Sequence, residues 1–329
     1  MAQAPVQAKA TTTTVAEAHP NIALVKYWGK QNRPGNYPAT PSLSITLDTL
    51  TTRTEVNDAT GGDEFFLDDE PKNDNKVSAC LAALRTRYDI PPLCIRSANN
   101  FPTAAGLASS ASGFAALVCA IDAHCELNLS KAELSANARQ ASGSAARSIF
   151  GGFVAMSEPD WTATELLGPE VWPLTTVIAI TATQAKLTPS SEGMRISAAT
   201  SPFYPAWITS TEEDFRQGIA HVMSQDFASL AELAEHSCLK MHGLMMSSQP
   251  GLVYWNAATL ACIQVVRTLR ADGLPVFFTV DAGPQVKAVC QPEVATIVAK
   301  ALAAIPGVLR TMAARLGDGA RVLASVAEK

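Results

Sequence analysis

Apolar positions along this chain follow two periods. Partial alternation of Leu, Ile, Val and Thr with polar residues over 42–57, SLSITLDTLTTRTEVN, predicts strands, and GGDEFFLDDEPKND after it reads as a polar hairpin or loop. DNKVSACLAALRTRYDI sets apolar residues at helical spacing behind an Asp or Asn cap. PLCIRSANNF predicts another strand, which FPTAAGLASSASG (101–113) turns into a helix. KAELSANARQASGSAARSIFGG predicts a helix capped by Ser130, a turn of small residues, and the start of a second helix ending at Gly151. In the second half, VIAITAT (177–183) is a buried strand, Glu212 to about Met246 one long amphipathic helix, VYWNAATLACIQVVRTLRADG another, and VFFTVDAGP a strand running into a turn. The pattern predicts an α/β (α+β) protein with a soft boundary near residue 185. The expected division is a disordered tail over 1–18, a first domain over 19–185 and a second over 186–329.

Composition narrows the class. With 329 residues, 47% hydrophobic and 17% charged, the chain can bury real cores. A net charge of −5 argues against a nucleic-acid partner, which selects a basic surplus or stripe. The apolar run FAALVCAI stops at Asp122, and no stretch nears the ~20 residues of a membrane span, so no membrane partner is expected. Seven scattered Cys form no CxxC pair, as free thiols in a reducing cytoplasm would. The N-terminal MAQAPVQAKATTTTVAEA lacks the apolar core of a secretory signal and the arginines of a transit peptide.

Several small motifs are candidates for chemistry. At the start of a helix the first N–H groups lack internal partners and the dipole is positive, so FPTAAGLASSASG suits phosphate, with Gly106 allowing close approach and Ser109 and Ser110 offering hydroxyls. The run has no GxxxxGK[ST] lysine, and a small-residue helix packed on a neighbour fits it at least as well. NIALVKYWGK ends a strand with Lys26, Tyr27 and Lys30, which could equally be snorkelling surface lysines. SGSAARSIFGG puts Ser142 and Ser144 on a glycine turn ahead of Arg147, a side chain suited to a carboxylate or phosphate, or simply a capped helix with a surface Arg. Asp281 closes the apolar strand FFTV, where a strand can fix a catalytic acid or where the side chain can merely bond its own turn. KLTPSSEGM is another Ser-rich turn. The five His share no metal-ligand spacing, and neither HExxH nor GxSxG occurs.

Taken in order, NIALVKYWGK, PSLSITL, NNFPTAAGLASSASG, SGSAARSIFGGF, SSEGM and VDAGP resemble the GHMP kinase superfamily, and within it the mevalonate diphosphate decarboxylases. The resemblance runs from residue 21 to 284. It implies the GHMP kinase fold: an N-terminal domain like domain 2 of ribosomal protein S5 and a C-terminal ferredoxin-like α+β domain, usually in a homodimer. It implies ATP and Mg²⁺, with mevalonate 5-diphosphate as substrate: phosphorylation of the tertiary 3-hydroxyl, then loss of phosphate and CO₂ to give isopentenyl diphosphate. By the same resemblance, Asp281 is the acid that orients or deprotonates the hydroxyl, and Lys26 stabilises the phosphoryl group in flight. Arg147 grips the carboxylate and Ser190 approaches the reacting centre. Tyr27, Lys30, Ser142, Ser144 and Arg147 hold the substrate. Asn99, Pro102, Gly106, Leu107, Ala108, Ser109 and Ser110 form the ATP loop, with Ser110 a candidate Mg²⁺ ligand, and Ser191 has no assigned role. A phosphomevalonate decarboxylase would keep Lys26, Arg147 and Asp281. A mevalonate 3-kinase is disfavoured by the complete Lys, Arg and Asp set, and a non-catalytic nucleotide-binding relative by the intact positions.

Overall fold

The computed structural model describes residues 12–101, 109–184 and 186–327. Three sheets organise them. The first is six-stranded, in the order Arg321–Ala327, Thr12–Ala18, Thr52–Asp58, Leu93–Asn99, Glu64–Leu67 and Glu70–Pro71. Its pairs are antiparallel except Glu64–Leu67 against Leu93–Asn99. Helices α1 (Asn75–Arg85), α2 (Ser109–His124) and α3 (Lys131–Ala141) complete its core, where Leu81, Leu84, Ile95, Phe114 and Leu117 pack together.

A second sheet, Asn21–Val25, Ser42–Thr46, Phe153–Met156 and Ala163–Leu167, is antiparallel throughout. The third orders Val276–Thr279, Val286–Cys290, Thr175–Ile180 and Arg310–Arg315, again antiparallel. Helices follow as α4 (Ser190–Thr200), α5 (Tyr204–Met223), α6 (Phe227–Met246), α7 (Ala257–Ala271) and α8 (Ala295–Ala303). One core joins the second sheet to the third through Leu43, Ile45, Phe153, Ile178 and Phe277, with α5 and α6 against it. No helix among the described residues is long and apolar enough to cross a membrane.

The predicted caps are present. Asp74 accepts from the backbone of Lys76 and Val77 at the head of α1, and Ser130 forms a reciprocal capping box with Glu133 on α3. Three expectations are corrected. Residues 12–18 are not a disordered tail: Thr12–Ala18 is an interior strand, paired on both sides. Thr175–Ile180, expected in the first domain, pairs with strands of the second half, while Arg321–Ala327 returns to the first sheet. The long helix expected from Glu212 to Met246 is two, α5 and α6. Gln225 adopts φ 54° and Asp226 caps the backbone of Ser229, so the break has its own turn and cap. Periodicity survives such a break because both helices face one core.

Candidate active site

Lys26 sits just past Asn21–Val25, and Asp281 just past Val276–Thr279, so two strand ends bring them together. Lys26 Nζ donates to Asp281 Oδ1 at 2.7 Å and to the carbonyl of Ala23 at 2.8 Å. Lys287, on the neighbouring strand Val286–Cys290, donates to Asp281 Oδ2 at 3.0 Å. The two lysine side chains are 1% and 2% exposed, while Asp281, at 28%, faces a cavity of ≈ 670 Å³. Burial pushes the Asp281 carboxyl up, but Lys26 and Lys287 together outweigh it and hold the group well below the ordinary carboxylate range. Behind it, Nε2 of buried His242 lies 3.0 Å from the Asp281 carbonyl. Burial first, then the charge of Lys26, pushes this imidazole down to about 3, so it is neutral.

Arg147 closes another wall. It lies on a 3-10 turn, Gly143–Ile149, and is fully buried. Its Nε and Nη2 reach Asn21 Oδ1 at 3.3 and 3.1 Å, Nε reaches Ser44 Oγ at 3.1 Å, and Nη1 reaches Ser42 Oγ at 2.6 Å. These neutral acceptors aim the guanidinium without neutralising it, and among the described residues no carboxylate forms an ion pair with it. Burial pushes its pKa down to about 10, still far above neutrality. Beside it the Tyr27 hydroxyl is buried with no hydrogen-bond partner among the described residues. Burial, opposed in part by Arg147, raises its pKa, so it is a neutral donor. A Cβ on Gly143 would lie 2.7 Å from that oxygen, which accounts for glycine there.

Hydroxyls and further cations ring the same cavity. Ser142 Oγ lies 3.5 Å from Ser110 Oγ and 3.4 Å from Ser144 Oγ, joining the start of α2 to the glycine turn. Lys30 Nζ donates to Asn36 Oδ1 at 2.7 Å and to Ser191 Oγ at 3.3 Å, and burial, then nearby Lys76, lowers its pKa. Ser190, first residue of α4, accepts from Lys186 Nζ at 3.1 Å. Ser109 also lines the cavity. Asn99 does not: its side chain accepts from Thr52 Oγ1 at 2.6 Å within the first sheet. Pro102, Gly106, Leu107 and Ala108 lie outside the described residues.

The arrangement thus gathers ammonium groups, a guanidinium and hydroxyls around one ionised carboxylate, as expected for a small polyanionic ligand. Comparison with known proteins agrees. Residues 18–164 match the diphosphomevalonate decarboxylase-like N-terminal domain, and residues 176–316 the mevalonate 5-diphosphate decarboxylase C-terminal domain. A diphosphomevalonate decarboxylase of Aspergillus fumigatus is 36% identical, over 91% of this chain and 81% of its own. The chain belongs to the diphosphomevalonate decarboxylase family. Among solved members, MDDEF in complex with MVAPP, AMPPCP and magnesium is 36% identical with a TM-score of 0.88, covering 95% of this chain and 99% of that one. The mevalonate diphosphate decarboxylase of Staphylococcus aureus is 33% identical with a TM-score of 0.88, covering 95% and 98%. At that identity the fold is the two-domain GHMP kinase fold that the motifs implied.

Reading the sequence missed Lys287 and Lys186 and the buried acceptors Asn21, Ser42 and Ser44. Lys287 left one signal, a single charge in the otherwise apolar run VKAVC. Lysine is almost never fully buried without a partner, so such a residue points to a carboxylate nearby. Asn21, of a residue type depleted from strands, left a faint signal at the head of NIALV, while Ser42 and Ser44 left none.

Proposed function

We propose that this chain catalyses ATP-dependent decarboxylation of mevalonate 5-diphosphate to isopentenyl diphosphate, with ADP, phosphate and CO₂ as the other products. The observation that carries the reading is Asp281, held ionised between Lys26 and Lys287, facing the same cavity as Arg147 and Tyr27. The 3-hydroxyl oxygen attacks the γ-phosphorus of ATP and the bond to ADP breaks, while the hydroxyl proton is released to solvent. The C–C bond to the carboxylate then breaks, its electrons form the double bond, and phosphate departs with the C–O pair.

Each side chain has a part in this. A carboxylate paired with two ammonium groups is a weak base, so Asp281 acts chiefly by accepting the hydroxyl's hydrogen bond and aiming its oxygen. Lys26 stabilises charge on the phosphoryl group as it transfers and again as it leaves. Arg147, fixed by neutral acceptors, offers its remaining N–H groups to the substrate carboxylate and holds its C–C bond in line with the leaving phosphate. Tyr27, Lys30, Ser142 and Ser144 hold the diphosphate, and Ser190 stands near the reacting carbon. Ser109 and Ser110, at the head of α2, face the nucleotide phosphates.

No cluster of three metal-ligating side chains occurs among the described residues, which suits Mg²⁺, an ion that keeps waters and binds largely through nucleotide phosphates. When bound with ATP it supplies charge neutralisation, with the Ser110 hydroxyl the candidate protein ligand. The seven free thiols fit a cytoplasmic location, and the family resemblance supports a homodimer. The test is incubation with ATP, Mg²⁺ and either mevalonate diphosphate or the monophosphate, following CO₂ and ADP. CO₂ and ADP in equal amounts from the diphosphate are expected. ADP without CO₂ would make the protein a kinase, turnover only of the monophosphate would move its substrate, and nucleotide binding without turnover would make it a non-catalytic relative.

A further inference from the structure

A carboxylate beside one buried lysine forms a neutral pair, which leaves that lysine little charge for a ligand. Asp281 has two such partners, Lys26 on Oδ1 and Lys287 on Oδ2, so the trio keeps a net positive charge at the cavity wall. We propose that Lys287 is a positioning residue for phosphoryl transfer: it holds the second oxygen of Asp281, fixes the carboxylate plane, and leaves the charge of Lys26 available to the γ-phosphate. Its part in the reaction rests on the decarboxylase reading above; its electrostatics rest on the geometry alone.

The placement of Lys287 is hard to explain by packing. It lies in an interior strand of the four-stranded third sheet, in register with Ile178 on one side and Thr279 on the other, and is 2% exposed. An apolar residue would fill that position with no desolvation cost. The ammonium is therefore better explained by what it does to Asp281. One bond to each oxygen resists rotation of the carboxylate, whereas Lys26 alone bonds only Oδ1. Asp281 remains 28% exposed and lines the cavity, so the carboxylate stays open to a ligand.

Other groups near Asp281 do not substitute for Lys287. From α6, His242 is neutral and the Cys238 thiol is held protonated by burial. Lys186, ahead of α4, and Arg147, on the 3-10 turn, feel the Asp281 charge, but their hydrogen bonds go to Ser190 and to Asn21, Ser42 and Ser44. Lys26 and Lys287 make the direct contacts. Their charges, against burial, keep the Asp281 carboxyl low.

The experiment follows Asp281 by carboxyl-¹³C NMR in the ligand-free protein, alongside steady-state kinetics, for the wild type, Lys287→Met and Lys287→Arg. In Lys287→Met the Asp281 midpoint should rise by about one unit or more, because one opposing charge is gone and burial remains. Turnover should fall ~10²-fold at neutral pH, as for loss of one charge stabiliser, with KM for ATP unchanged. Lys287→Arg should bring back most of both. An unmoved Asp281 midpoint in Lys287→Met, full turnover in that variant, or failure of Lys287→Arg to restore either quantity would overturn the proposal. Should Lys287→Met not fold, Lys287→Gln carries the same measurements. A wild-type chain inactive on mevalonate diphosphate removes the decarboxylase reading and leaves the NMR titration to judge Lys287.

Discussion

Replacing Tyr27 with Phe should move ligand-free stability and substrate affinity in opposite directions. The Tyr27 oxygen is buried without a partner among the described residues, between the Gly143 backbone and the neighbourhood of Arg147. A hydroxyl buried without a bond costs about 1–3 kcal/mol, so its deletion should return some of that to the ligand-free fold. The residue keeps some exposure to the cavity, so the lower end, about 1 kcal/mol, is expected. When the diphosphate arrives, the same hydroxyl donates to a charged oxygen, worth about 1.5–3 kcal/mol. Its loss should raise Kd for mevalonate diphosphate about tenfold to 100-fold. Thermal unfolding of the ligand-free variant and calorimetric titration with mevalonate diphosphate, without nucleotide, read the two effects separately. The variant should melt at or above the wild-type temperature while binding substrate more weakly. A lower melting temperature with unchanged affinity would refute the reasoning, since it would mean the hydroxyl bonds within the protein and never meets the diphosphate.

Two other substitutions test neighbouring parts of the site and a third tests the fold away from it. Asp281→Asn should cut turnover by about 10²-fold or more while leaving ATP binding, read with a fluorescent nucleotide, nearly intact; near-normal turnover would end its role in orienting the hydroxyl. The same variant leaves Lys26 and Lys287 buried beside an uncharged group, so its melting temperature should drop. Gly143→Ala places a Cβ 2.7 Å from the Tyr27 oxygen and should raise KM for the diphosphate substrate more than KM for ATP. Gly317→Ala sets a Cβ 2.5 Å from the carbonyl oxygen of Leu47, where backbone must shift; denaturant unfolding should show a loss of about 1–3 kcal/mol.

Much of the fold was legible because its signals are local. Caps at Asp74 and Ser130, the alternation in 42–57 and the apolar runs around Ile178 and Phe277 each depend on a few neighbouring residues. What escaped depends on pairing partners far along the chain. Thr12–Ala18 carries the β-branched Thr and Val of a strand but hardly any large apolar side chain, and its place is set by Thr52–Asp58 on one side and Arg321–Ala327 on the other. The soft boundary near 185 failed for the same reason: Thr175–Ile180 is sequentially close to the first domain but is hydrogen-bonded to strands that start at residues 286 and 310.

The site divides along a similar line. Residues carried on compact motifs, such as Lys26, Tyr27, Ser142 and Arg147, were visible together with their motifs, and the structure brings them to one cavity with Asp281. The groups that tune them were not. Arg147 keeps its charge available because its partners are Asn21, Ser42 and Ser44, neutral side chains on two other strands. Asp281 stays ionised because a second lysine arrives from the next strand. Neither condition can be read at the residue it controls. Both come from sheet pairing, which sets these acceptors and cations in rigid strands before any ligand binds. A site built this way meets the charge of a transferring phosphoryl group with groups already in place, so little reorganisation accompanies the reaction. The uncharged run FPTAAGLASSASG needs no lysine of its own under that arrangement: Lys26 and Lys30 come from one segment, Arg147 from another and Lys287 from a third, and all four are held by bonds that do not involve it.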